Sequence, residues 1–147
     1  MRQAYFILQA LVFIFITMFA IFVLNVVNAG TWQEVEAWDE ECAYVPADMA
    51  CLSACAFAWM KSPNRTNDGI IGLHMPAAHN AATQAQVNLE VNTHMMAFGF
   101  GGYYQTVRDE TSLRVFLMFQ GNRAWLQDWR TLRGYRVTAD PDDLRCG

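Results

Sequence analysis

From Ala4 to Val27 the chain reads AYFILQALVFIFITMFAIFVLNVV, a run without a charged residue in which only Gln9, Thr17 and Asn25 are polar. No other feature restricts the fold as strongly. As a helix the run measures roughly 36 Å, enough for about 30 Å of hydrocarbon with some tilt. The expectation is therefore a transmembrane anchor over residues 1–29, followed by an extramembrane domain over residues 30–147. A cleaved signal peptide is the competing reading, because Arg2 gives a charged start and Val27-Asn28-Ala29 offers small residues before Gly30. The apolar run exceeds the roughly 7–15 residues of a signal core, which favours a retained span.

The flanks orient that span. Arg2 precedes it, whereas Glu34, Glu36, Asp39, Glu40 and Glu41 follow. Positive charge stays inside, so the N-terminus is expected in the cytoplasm (or a matrix or stromal equivalent) and the domain on the extracytoplasmic or lumenal side. There Cys42, Cys51, Cys55 and Cys146 can oxidise, and four cysteines allow three pairings. Two of them, Cys51 and Cys55, fall one turn apart if Met49–Met60 is helical, a spacing at which each is expected to bond elsewhere. Asn64-Arg65-Thr66 is a glycosylation sequon in that compartment, and Trp32 is expected at the membrane interface.

Beyond the span the pattern predicts a small α+β (or partial α/β) domain with disulfides. Residues 31–45 and 49–60 read as helices, 61–80 as loop, and 81–92 as a weaker helix. Tyr103–Val107, Leu113–Phe119 and Gly134–Thr138 read as strands, and Ala124–Leu132 as a short helix carrying Trp125, Leu126 and Trp129. The formal charge of −4, with a single lysine at Lys61, provides no basic stripe, so nucleic acid is not an expected partner.

The run GYYQTVRDETSLRVFLMFQGNRAWLQDWRTLRGYRV, starting at Gly102, resembles the N-terminal part of the class 3 (fungal-type) lipases. Phe119-Gln120-Gly121-Asn122 stands where that family has a phenylalanine-arginine-glycine turn, and Trp125-Leu126-Gln127-Asp128-Trp129 where a short helix follows. The resemblance implies an α/β-hydrolase fold, with Asn122 in the place of an oxyanion-hole donor. Gln120 and Asn122 depart from the family's arginine and its serine or threonine. The family's G-x-S-x-G elbow is absent, since Ser53, Ser62 and Ser112 lack its glycines.

Other ligand chemistry is sparse. His74, His79, His94 and Met95 have the donor types of a copper site without a recognised spacing, and no cofactor is expected. Without a complete triad, the expected function is a non-catalytic accessory subunit whose partners are the lipid bilayer and other membrane-protein subunits. The alternative is the front section of a membrane-anchored lipase-like ester hydrolase.

Overall fold

The computed structural model describes residues 2–27 and 32–146, with the side chains of the first stretch described as far as Thr17. Helix α1 spans Arg2–Val27, and its large apolar side chains from Tyr5 to Ile16 are 51–74% exposed. The expected anchor over residues 1–29 is corrected here. Among the described residues no helix is long and apolar enough to cross a membrane. The single-pass placement, with its N-terminus on the cytoplasmic side, goes with it. The expected cleavage point between Ala29 and Gly30 lies outside the described residues.

The rest is a small α+β domain. Helix α2 covers Trp32–Ala37, and strand β1 covers Cys42–Val45. Strand β2, Met49–Leu52, runs straight into helix α3, Ala54–Lys61. Strands β3 (Asn64–Asn67) and β4 (Ile70–Leu73) precede helix α4, Ala81–Ala97, and the short helix α5, Tyr104–Asp109. Strands β5 (Val115–Gln120), β6 (Arg123–Asp128) and β7 (Arg136–Thr138) complete the order. One five-stranded sheet has the order β6-β5-β4-β2-β7, while β1 and β3 pair separately in parallel. Strands β4, β2 and the edge strand β7 run parallel, and β5 and β6 join on the other side as an antiparallel hairpin.

Burial separates the two sides of this sheet. Met49 and Cys51 of β2, with Ile71 and Leu73 of β4, share a core with α3 and α4. Ala50, Leu52, Ile70, Phe116 and Met118 form a second, smaller core under Trp125, Leu132 and Tyr135. Both faces of β2 and β4 are thus covered, which is why neither strand alternates with polar residues. Helix α3 is buried from Ala54 to Met60, and a helix apolar all round belongs in an interior. Helix α4 buries only Val87, Val91 and Met95, a stripe at four-residue spacing.

Several local expectations change. Residues 49–60 are not one helix: the chain reverses at Ser53 between strand and helix. Cys42–Val45 is strand rather than helix, and β3 and β4 occupy the expected loop. Tyr104–Val107 lies in α5. The segment around Trp125–Asp128 is strand β6, because it pairs along its whole length with β5. Trp32 lies half-buried, with its indole N–H donating to Glu90 Oε2 at 2.7 Å and its ring edge-on to Phe57. It packs on the domain through those contacts. Lys61 ends α3 by donating to the carbonyls of Val35, Glu36 and Trp38 at 2.8–3.1 Å, and so closes the C-terminus of α2.

A candidate nucleophile elbow at Ser53 and His74

Parallel pairing sets Ala50 opposite Ile70 and Leu52 opposite Gly72. Both strands therefore finish at one edge of the sheet, with Ser53 leaving β2 and His74 one residue beyond β4. Carboxyl ends of parallel strands are where open α/β sheets place their ligand crevices. At this edge Ser53 Oγ lies 2.7 Å from His74 Nε2.

The serine's backbone is unusual. Its φ of 55° and ψ of −124° make it the one non-glycine residue with positive φ among the described residues. Such a conformation costs of order 1–3 kcal/mol and is kept where surroundings over-determine it. Three contacts do so: the Ser53 N–H donates to Gly72 O at 3.0 Å, the Cys55 N–H donates to Ala139 O at 3.1 Å, and Cys51 is disulfide-bonded to Cys55. Serine normally turns its hydroxyl to the first-turn N–H groups of its helix. Ser53 makes no such cap, and its oxygen meets the histidine instead.

His74 is held from two sides. Its ring lies over Phe116, centroids 4.4 Å apart and tilted by 33°. Phe116 and Met118 project from β5 onto the same side as Leu52, and Gly72 makes the closure possible. A Cβ there would collide with Leu52 and press on Met118 Sδ at 3.0 Å and on Phe116 at 3.4 Å. Burial pushes the His74 pKa down to about 4, partly opposed by a hydrogen bond with the Met75 backbone. At neutral pH the ring is uncharged. With its proton on Nδ1, it accepts the serine proton at Nε2. Among the described residues no carboxylate hydrogen-bonds to His74, so the arrangement is a dyad.

The disulfides are Cys42–Cys146 and Cys51–Cys55. The second contradicts the expectation that these two cysteines bond elsewhere. Cys51 lies next to the end of β2 and Cys55 in the first turn of α3, so the reversal at Ser53 brings their Cα atoms to 5.3 Å. One regular helix would have aimed them apart; an elbow joins them.

The other expected site residues are scattered. Asn122 is exposed in the β5–β6 turn. Antiparallel pairing sets Phe119 opposite Ile71 and Leu117 opposite Leu73, so Asn122 extends past the start of β4, at the opposite end from His74. Of the copper candidates, His74 is engaged by Ser53, Met95 is fully buried, His79 is exposed, and His94 lies half-buried near Trp32 and Phe98. Among the described residues no group of three or more His, Cys, Asp or Glu side chains could hold a metal ion. Asn64 is exposed as the first residue of β3.

Ser53 does not fit the G-x-S-x-G pattern, because glycines are missing from its flanking positions. Cys51-Leu52-Ser53-Ala54-Cys55 has cysteines in their place, symmetric about the serine. That symmetry, with an apolar strand-length segment before it and a histidine after the next strand, was the available signal. Compared with family models, with curated proteins and with solved structures, the chain matches none.

Proposed function

We propose that this protein is a serine acyl hydrolase, cleaving a carboxylic ester or amide through an acyl-Ser53 intermediate. The 2.7 Å contact between Ser53 Oγ and His74 Nε2, on a serine with positive φ, carries the proposal. It is also the reason for preferring an enzyme to a non-catalytic subunit. Nucleophile and base within hydrogen-bond reach are the signature of an activated hydroxyl.

In the first half-reaction Ser53 Oγ bonds to the substrate carbonyl carbon while its proton passes to His74 Nε2. The tetrahedral oxyanion then collapses, the bond to the leaving group breaks, and His74 returns the proton to the departing oxygen or nitrogen. Water repeats the sequence on the acyl-serine, releasing a carboxylic acid. The Ala54 N–H follows the serine in the first turn of α3, where N–H groups have no intrahelical acceptor, and donates to the oxyanion. Rigidity supports this chemistry: the serine is 9% exposed and stands on a helix buried through seven consecutive residues.

The test is covalent labelling of the purified full chain with a fluorophosphonate, located by peptide mass spectrometry. The expected adduct is on Ser53, absent in Ser53→Ala and slowed in His74→Ala. Labelling spread over several serines, or unaffected by loss of His74, would sink the proposal.

A further inference from the structure

The elbow is bracketed by a covalent bond whose two sulfurs belong to residues with no solvent exposure. That bond joins the penultimate residue of β2 to the first turn of α3, two residues either side of Ser53. Two unbonded thiols at Cys51 and Cys55 need more room than a bonded pair inside a closed core. Ile71 on β4 and Phe57 on α3, in the same core as the two cysteines, are themselves buried, so that room comes from moving α3 against β2. The residue at the pivot is Ser53.

We propose that formation of the Cys51–Cys55 disulfide switches the Ser53 nucleophile on, making these cysteines positioning residues and the hydrolase dependent on prior oxidation. The inference rests on the acyl-hydrolase reading above. In the activating step each thiol loses its proton and the Sγ–Sγ bond forms. The two electrons pass to a small-molecule or protein disulfide, which leaves as two thiols. The bond then lies out of reach of solvent, so activation is a latch rather than a rapid toggle. Reacting groups displaced by about 1 Å lose on the order of 10²-fold in rate, which sets the expected size of the effect. The second disulfide has no such link to the site, since Cys42–Cys146 joins β1 to the chain's far end.

The experiment compares fluorophosphonate labelling rates of the full chain in three forms. They are oxidised wild type, Cys51→Ala/Cys55→Ala and Cys42→Ala/Cys146→Ala, with folding followed by tryptophan fluorescence. The elbow pair of substitutions is expected to slow labelling about 10²-fold, while the distal pair lowers the melting temperature and leaves the rate within about twofold. Wild type kept reduced, then treated with glutathione disulfide, gives the same reading without substitution: labelling rises as the Cys51–Cys55 bond appears by mass spectrometry. Equal labelling rates with and without the elbow bond overturn the latch and leave the dyad standing. Slowing that follows the distal bond instead also overturns it. Absence of Ser53 labelling in oxidised wild type removes the dyad reading itself, and the latch with it.

Discussion

Two helix starts in this domain use the same kind of residue in opposite ways. Helix α4 begins at Asn80, whose backbone is extended (φ −150°, ψ 170°) and whose side chain accepts from the Thr83 N–H at 2.9 Å. Helix α3 begins at Ser53, with φ at 55°, no capping bond, and its hydroxyl on His74. Asn80 uses its oxygen to stabilise its own helix, a contribution of about 1 kcal/mol. Ser53 forgoes that contribution and adopts an unfavourable backbone as well. A side chain that leaves its own helix uncapped, held by neighbours in a conformation it would not choose, points to chemistry.

The largest contrast should come from removing the two oxygens and comparing activity with stability. Ser53→Ala is expected to reduce hydrolysis and labelling to background while costing about 1–3 kcal/mol of unfolding free energy, because the hydrogen bond to His74 is lost although no cap is. Asn80→Ala should cost stability and leave activity in place. A Ser53→Ala variant that folds and still hydrolyses substrate would show that the serine is an ordinary structural residue. His74→Ala should lower kcat/KM by about 10²–10⁴-fold, the usual worth of a general base.

The next effect is pH dependence. His74 titrates near 4 in the folded chain, against about 6.5 when unfolded. Between those values the unfolded state binds more protons, so stability rises with pH across that window. It is fully present above about 6.5 and declines as pH falls towards 4, by up to ~3 kcal/mol. His74→Gln should flatten that part of the urea-midpoint profile. The acid limb of kcat/KM should fall in the same low range, because the neutral ring is the base. An acid limb at the ordinary histidine position would contradict the buried, Phe116-covered environment of the ring.

Helix ends away from the site provide smaller controls. Lys61→Met removes donors from three carbonyls at the end of α2 and should cost about 1–2 kcal/mol in thermal or urea unfolding. Asn80→Ala should cost about 1 kcal/mol. Neither should move the Ser53 labelling rate by more than about twofold. A Lys61 variant that slowed labelling strongly would show that the far end of α3 communicates with its start.

What the sequence reveals follows the same division. Strand β5 is legible because VFLMF is a continuous apolar run before turn residues, and α4 in part, since residues 81–92 read as a weaker helix that in the fold runs on to Ala97. Strand β2 and helix α3 are not separable that way. MACLSACAFAWM is apolar apart from Ser53, and periodicity cannot tell two fully buried elements from one. The break falls at a serine whose conformation is set by tertiary contacts with Gly72 and Ala139, far away in sequence. Strand β6 was hidden for a related reason: Trp125, Leu126 and Trp129 have helical spacing, and only the ladder with β5 overrides it. His74 is visible as a histidine, but its partner Ser53 lacks the flanking glycines of the usual elbow.

Gly69 sits where an added methyl group would strike the carbonyl oxygens of Pro46 and Met49, both main-chain atoms. Unlike the crowding around Gly72, this cannot be relieved by turning a side chain aside. Any replacement must push apart the turn before β2 and the turn before β4, the two adjacent strands that end in Ser53 and His74. A mutation at the rear of the sheet, remote from the dyad, would thus be transmitted along two stiff rods as an error in their alignment.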